Sequence, residues 1–62
     1  MTTLYVMDLE GNHVATISGE DNAICEAAYK GRYDINDYVA TYSPAFGFDG
    51  AVENADAEII DV

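Results

Sequence analysis

The chain has 62 residues, of which twelve are acidic and two, Lys30 and Arg32, are basic, so its formal charge is −10. A chain of this length forms one small domain, and its five Tyr and two Phe make it too aromatic for an acidic disordered tail. The negative charge argues against direct binding to nucleic acid or to an anionic membrane surface, because both kinds of ligand attract basic patches.

The cysteine content and the N-terminal segment bear on where the protein resides. Cys25 is the single cysteine, so no intramolecular disulfide can form, which favours a reducing compartment. The first residues lack the basic start and the long apolar run of a signal peptide, and no stretch approaches the ~20 apolar residues of a membrane span. The sequence therefore predicts a cytoplasmic protein consisting of a single domain over residues 1–62.

A β-hairpin is the first predicted element. Residues 3–9 predict a strand in which Leu4, Val6 and Asp8 point to one face and the alternate residues to the other. The pair at 11–12, Gly-Asn, favours a two-residue hairpin turn that tolerates positive φ. Residues 13–18, His-Val-Ala-Thr-Ile-Ser, supply the return strand.

A helix is predicted next, over about residues 20–30. Ser18 and Asp21 have the spacing of a capping box, and acidic residues at this end are favoured by the helix dipole. Gly31 is expected immediately after the last helical residue. The apolar stripe of this helix is expected to comprise Ile24, Ala27 and Ala28.

The second half of the chain gives weaker patterns. Residues 32–37 are typical of turns, and 38–42 form a β-rich run that favours a strand over the alternative of a helix at 34–41. Residues 43–56 indicate a long loop, and 57–62 a fourth strand at an edge of the sheet. The sequence thus predicts an α+β fold, a small two-layer domain in which one helix covers an antiparallel β-β-α-β sheet.

No catalytic, cofactor or metal motif is present. Cys25 and His13 are too few for a zinc site, and Cys25 is expected to be buried and inert while His13 is expected to be exposed. The run from Asp34 to Asp37 does not match a calcium-binding loop, because Val39 stands where that loop needs Gly. We therefore expect no enzymatic activity, no cofactor and no bound metal.

The excess of acids has two interpretations. The carboxylates either keep a small protein in solution or form a face that binds a basic protein surface. Alternate residues of a strand lie ~6.6 Å apart and four residues of a helix rise ~6 Å, about twice the ~3.4 Å between phosphates of one DNA strand. The residues expected to bind the partner are Glu20, Asp21, Glu26, Asp34, Asp37, Asp49, Glu53, Asp56 and Glu58.

In length, charge, tyrosine content, single cysteine and lack of a catalytic motif, the chain resembles the small acidic inhibitors encoded by phages and mobile elements. These are the DNA-mimic anti-CRISPR and anti-restriction proteins. The resemblance implies a non-enzymatic inhibitor that occupies the nucleic-acid-binding channel of a bacterial defence complex. Two alternatives remain at this point: a small phage or plasmid adaptor that binds a protein without mimicry, and a homodimer formed by strand addition.

Overall fold

The computed structural model describes residues 1–42 and 56–62. These residues form a sheet of four strands with one helix, which confirms the predicted α+β class. The strand predicted at 38–42 is also confirmed over the helical alternative. In chain order the elements are β1 Thr2–Asp8, β2 His13–Gly19, α1 Asn22–Arg32, β3 Tyr38–Thr41 and β4 Glu58–Asp61.

The sheet is mixed, with the strand order β3-β1-β2-β4. β1 runs antiparallel to both β2 and β3, whereas β4 runs parallel to β2, with Ser18 opposite Asp61. The prediction of an antiparallel sheet is therefore wrong for the last strand. Alternating polarity specifies which face of a strand is buried but carries no information about strand direction.

The connection between β1 and β2 spans residues 9–12 and is longer than the predicted two-residue turn. Gly11 adopts a φ of 90°, as the Gly-Asn pair suggested. The Asp8 carboxylate closes the connection, because its Oδ1 accepts hydrogen bonds of 2.9 Å from the backbone N–H groups of Glu10 and Asn12. The register shifts after Val6, which leaves a bulge in the hairpin.

The ends of α1 differ from the predicted ends by about two residues. Asp21 is the N-cap, and its side chain accepts a 2.9 Å hydrogen bond from the Ile24 N–H, so the expected capping box with Ser18 is wrong. Ser18 belongs to β2 instead. Gly31 lies inside the helix, and the chain leaves it at Tyr33, whose backbone is extended.

The core lies between α1 and the two central strands. It comprises residues from three strands and the helix: Leu4, Val6, Ala15, Ile17, Cys25, Tyr29 and Ile60. The helix therefore contributes Cys25 and Tyr29, one turn apart. The predicted stripe is wrong for Ile24, which is 37% exposed, and for Ala27, which lies on the surface, whereas Ala28 packs against the core as predicted. Cys25 is buried, which confirms that part of its prediction.

His13 is buried, with 4% of its surface exposed, so the prediction of an exposed His13 is wrong. The bulge places it opposite Met7, which is also buried. Its Nε2 lies 2.9 Å from the Ala15 carbonyl oxygen and 2.8 Å from Thr16 Oγ1, and its ring is 5.9 Å from that of Tyr5. The Nε2 atom of the ring thus finds its hydrogen-bond partners within β2.

Two remaining predictions concern the membrane and the long loop. Within residues 1–42 and 56–62, no helix has the length and apolar character needed to cross a membrane. The loop predicted at 43–56 lies outside the described residues except for Asp56, which occupies a turn before β4.

Candidate functional site

The acids of the described ranges lie outside the core. Eight of these ten carboxylates are exposed, and the other two, on Asp8 and Glu26, are half-buried. Both basic residues are exposed as well. Two cations cannot neutralise twelve carboxylates, so the protein presents a strong negative potential to its surroundings.

Three of these acids hold the backbone of their own chain. Asp21 caps α1, and Asp34 Oδ1 accepts a 2.8 Å hydrogen bond from the Asn36 N–H. Asp8 closes the hairpin connection, and hydrogen bonds from the backbone and then the side chain of Asn12 hold the pKa of its carboxyl below the usual value. These carboxylates remain charged, but their positions are set by local folding.

Other predicted acids are brought together by the fold. Asp34 and Asp37 share one turn, in which the Asp37 N–H donates to the Asp34 carbonyl at 3.0 Å. Glu20 lies beside a recess of about 330 Å³ that Asp61 also lines. Asp61 was not among the nine predicted binding residues. Only its parallel pairing with Ser18, which the sequence does not reveal, places it beside Glu20.

The remaining predicted acids belong to the last third of the chain. Asp49 and Glu53 lie outside the described residues. Asp56 and Glu58 are exposed at the start of β4, at one edge of the sheet. Burial, followed by the neighbouring Glu58 carboxylate, raises the pKa of the Tyr33 hydroxyl.

A cleft of about 340 Å³ separates α1 from β3. Leu4 and Tyr29, which are 2% and 8% exposed, form its base. Ile35 and Val39 line it as well and are 61% and 46% exposed. The cleft therefore combines a buried apolar base with an apolar rim in contact with solvent.

Three tyrosines stabilise the wall of this cleft. Tyr29 stacks on Tyr33 with 6.3 Å between ring centroids, and Tyr33 meets Tyr38 edge to face at 5.0 Å. The Tyr29 hydroxyl donates a 2.9 Å hydrogen bond to the Tyr38 carbonyl. This wall is rigid, because its rings pack on one another and a hydroxyl ties α1 to β3.

Tyr42 and Glu26 close the cleft at the end of β3. The Tyr42 hydroxyl donates a 2.5 Å hydrogen bond to Glu26 Oε2 and lies 3.4 Å from the Asn22 carbonyl oxygen. The hydrogen bond to Glu26, together with desolvation, raises the pKa of Tyr42 to about 12. Of the predicted binding residues, Glu26 is thus one that the fold places on the wall of an apolar cleft.

The described residues hold no group of three or more His, Cys, Asp or Glu side chains placed to bind a metal ion. The side chains of His13 and Cys25 are both buried, and the Cys25 Sγ lies 3.5 Å from the Thr2 carbonyl oxygen. The arrangement in these ranges offers charge, hydrogen bonds and apolar contact, which are the means of a binding surface.

Comparison with protein-family models, with curated protein sequences and with solved structures finds no match to this chain. The function is inferred below from the residues and their geometry.

Proposed function

We propose that the chain is a non-enzymatic inhibitor that binds a basic nucleic-acid-binding surface of a bacterial defence complex, in the cytoplasm, with carboxylates in place of phosphates. The observation that supports this is the exposure of eight of the ten acids that the structure describes, in a chain with a formal charge of −10. A basic groove attracts such a protein over the range of its field, so association is fast and sensitive to salt.

The charge density is on the scale of a nucleic acid. The longest dimension of the protein is 28 Å. One strand of DNA carries about eight phosphates over that length, at ~3.4 Å per charge. The ten net negative charges of the chain are therefore similar in number to the phosphates of one DNA strand of that length, and to about half of the phosphates of the duplex.

An adaptor that binds a protein without mimicry is the second candidate function. The observation that favours it is the cleft, since Ile35 and Val39 expose apolar surface beside it. Apolar contacts are little affected by salt and do not compete with DNA. Salt and competitor DNA should therefore release the partner of a mimic but not the partner of an adaptor.

The test is capture of partners by the tagged full chain from a nuclease-treated bacterial lysate. For a mimic, we expect a nucleic-acid-binding complex that elutes with competitor duplex DNA and with high salt. A partner that neither DNA nor salt releases would refute mimicry and support the adaptor. Recovery of no partner under any condition would leave the carboxylates with a solubilising role only.

Graded variants test whether charge holds the complex. The first variant carries Glu20→Lys, Asp37→Lys and Asp61→Lys, at exposed positions whose side chains take no part in the caps and turns described above. Asp37 contributes only its backbone N–H to its turn. Its control carries Gln, Asn and Asn at the same positions and changes the charge by half as much. Binding through the field predicts a loss for the control that is intermediate between the parent chain and the Lys variant.

A further inference from the structure

We propose that the cleft between α1 and β3 receives an arginine side chain from the basic surface of the partner. This inference rests on the proposed function and deepens it, since it assigns one anchoring contact within a broad electrostatic attraction.

The apolar part of the cleft suits the stem and the flat face of a guanidinium. Leu4 and Tyr29 form a buried base, and the half-buried Tyr38 lies beside them. Arginine buries its aliphatic stem against such surfaces and stacks its planar head on aromatic rings. Because the tyrosines are fixed by one another, the cleft needs little reorganisation to accept it.

The polar end of the cleft provides acceptors for the guanidinium N–H groups. Tyr42 holds Glu26 through Oε2, while Oε1 accepts no hydrogen bond from the described residues. The Tyr42 hydroxyl oxygen also keeps lone pairs, because it acts as the donor towards Glu26. Two acceptors side by side suit the two-pronged geometry of arginine better than a lysine ammonium.

The charge of the cleft selects its occupant. A second copy of the chain carries the same charge of −10 and is repelled, whereas a basic partner is attracted. Lys30 lines the cleft and opposes a cationic guest, but it is exposed and its flexible stem can move towards solvent. Removal of this charge is therefore expected to strengthen binding.

The experiment is a titration of the ¹⁵N-labelled full chain with a hexa-arginine peptide at about 150 mM salt, followed by amide chemical shifts. We expect saturable shifts centred on Glu26 and on residues 38–42. Glu26→Gln should weaken binding at least about tenfold, while Glu10→Gln, the same change of charge at an exposed position outside the cleft, should weaken it less than about twofold. Hexa-lysine should bind more weakly than hexa-arginine.

Equal weakening by the two variants, or shifts spread evenly over the surface, would overturn the cleft assignment while leaving the proposed function in place. Absence of binding even at about 20 mM salt would overturn both, because a long-range field acts most strongly there. If Glu26→Gln does not fold, Lys30→Gln decides: tighter binding supports the cleft, and unchanged or weaker binding overturns it.

Discussion

The closest packing among the described glycines occurs at Gly19, at the end of β2. A Cβ built there would lie 3.1 Å from Cys25 Sγ, 3.1 Å from Ile24 Cγ2 and 3.2 Å from Val62 Cγ2. Gly31, in the last turn of α1, has nothing within 4 Å of such a Cβ. The substitutions Gly19→Ala and Gly31→Ala therefore add the same methyl group in a crowded and an open place.

The magnitude follows from which neighbours can move. Ile24 and Val62 are 37% and 49% exposed and can shift outwards, but Cys25 is fully buried. Overpacking costs about 1–3 kcal/mol, and a value in the lower half of that range, about 1.5 kcal/mol, applies because two of the three neighbours can move and the Cys25 sulfur cannot. Alanine also lowers the conformational entropy of the unfolded chain relative to glycine, which offsets about 0.5 kcal/mol of this cost. Gly19→Ala should therefore lower the free energy of unfolding by about 1 kcal/mol.

The control variant should change stability in the opposite direction. Gly31 has an ordinary negative φ, since Gly11 is the positive-φ glycine of the described residues. Alanine is favoured over glycine in a helix by about 0.5–1 kcal/mol, and the lower figure applies in the last turn. The two variants should thus differ by about 1.5 kcal/mol, or by about 6–12 °C in Tm.

Urea unfolding followed by circular dichroism measures this difference. A Gly19→Ala variant as stable as Gly31→Ala would refute the packing argument. A double-mutant cycle locates the clash, because Cys25→Ala removes the sulfur that cannot move. The loss from Gly19→Ala should shrink in that background, and additive effects would show that Cys25 is not the obstacle.

Three further predictions concern hydrogen-bonded side chains. Asp21→Ala removes the N-cap of α1 and should lower the free energy of unfolding by about 1 kcal/mol, as measured by urea titration. The pKa of Asp8 is lowered in the fold, so its stabilisation is present above the unfolded pKa near 3.8 and is lost as the pH falls; Asp8→Asn should flatten the acid limb of the stability profile. The pKa of Tyr42 is raised from 10.0 to about 12, so its stabilisation is present below pH 10 and is lost as the pH rises towards 12. Tyr42→Phe should remove that alkaline loss, and a variant that retains it would show that another group is responsible.

Local patterns in the sequence were sufficient to predict the helix and the strands. The predicted strand placed Leu4 and Val6 on one face of β1, and both residues lie in the core. The helix boundaries were displaced because Ser18 and Asp21 are both good caps, and the extension of β2 to Gly19 leaves only Asp21 in position. The buried face of α1 lies about one residue further along the chain than predicted, because the large Tyr29 ring, and not the smaller Ala27 side chain, fills the space over the sheet.

For the binding surface, the sequence predicts the excess of acidic residues but not how they and the cleft are arranged. Burial of a carboxylate costs free energy, so acidic residues in any sequence are expected to lie outside the core. The cleft depends on where β3 packs beside β1, and the contact of Tyr42 with Glu26 joins residues sixteen apart in the chain. Pairing between distant strands sets such contacts, and no local pattern specifies it.

The salt dependence of stability and of binding should have opposite signs in this protein. Repulsion among carboxylates opposes the compact state, and salt screens that repulsion, so Tm should rise between about 20 mM and 500 mM NaCl. Attraction to a basic partner is screened by the same ions, so the affinity for hexa-arginine should fall over that range. Scanning calorimetry and the peptide titration measure the two effects on one sample.

Removing three exposed charges with Glu20→Gln, Asp37→Asn and Asp61→Asn should reduce both slopes together. If Tm does not respond to salt while binding does, the acids repel one another too weakly in the fold to form a continuous negative surface, and the mimicry proposal fails.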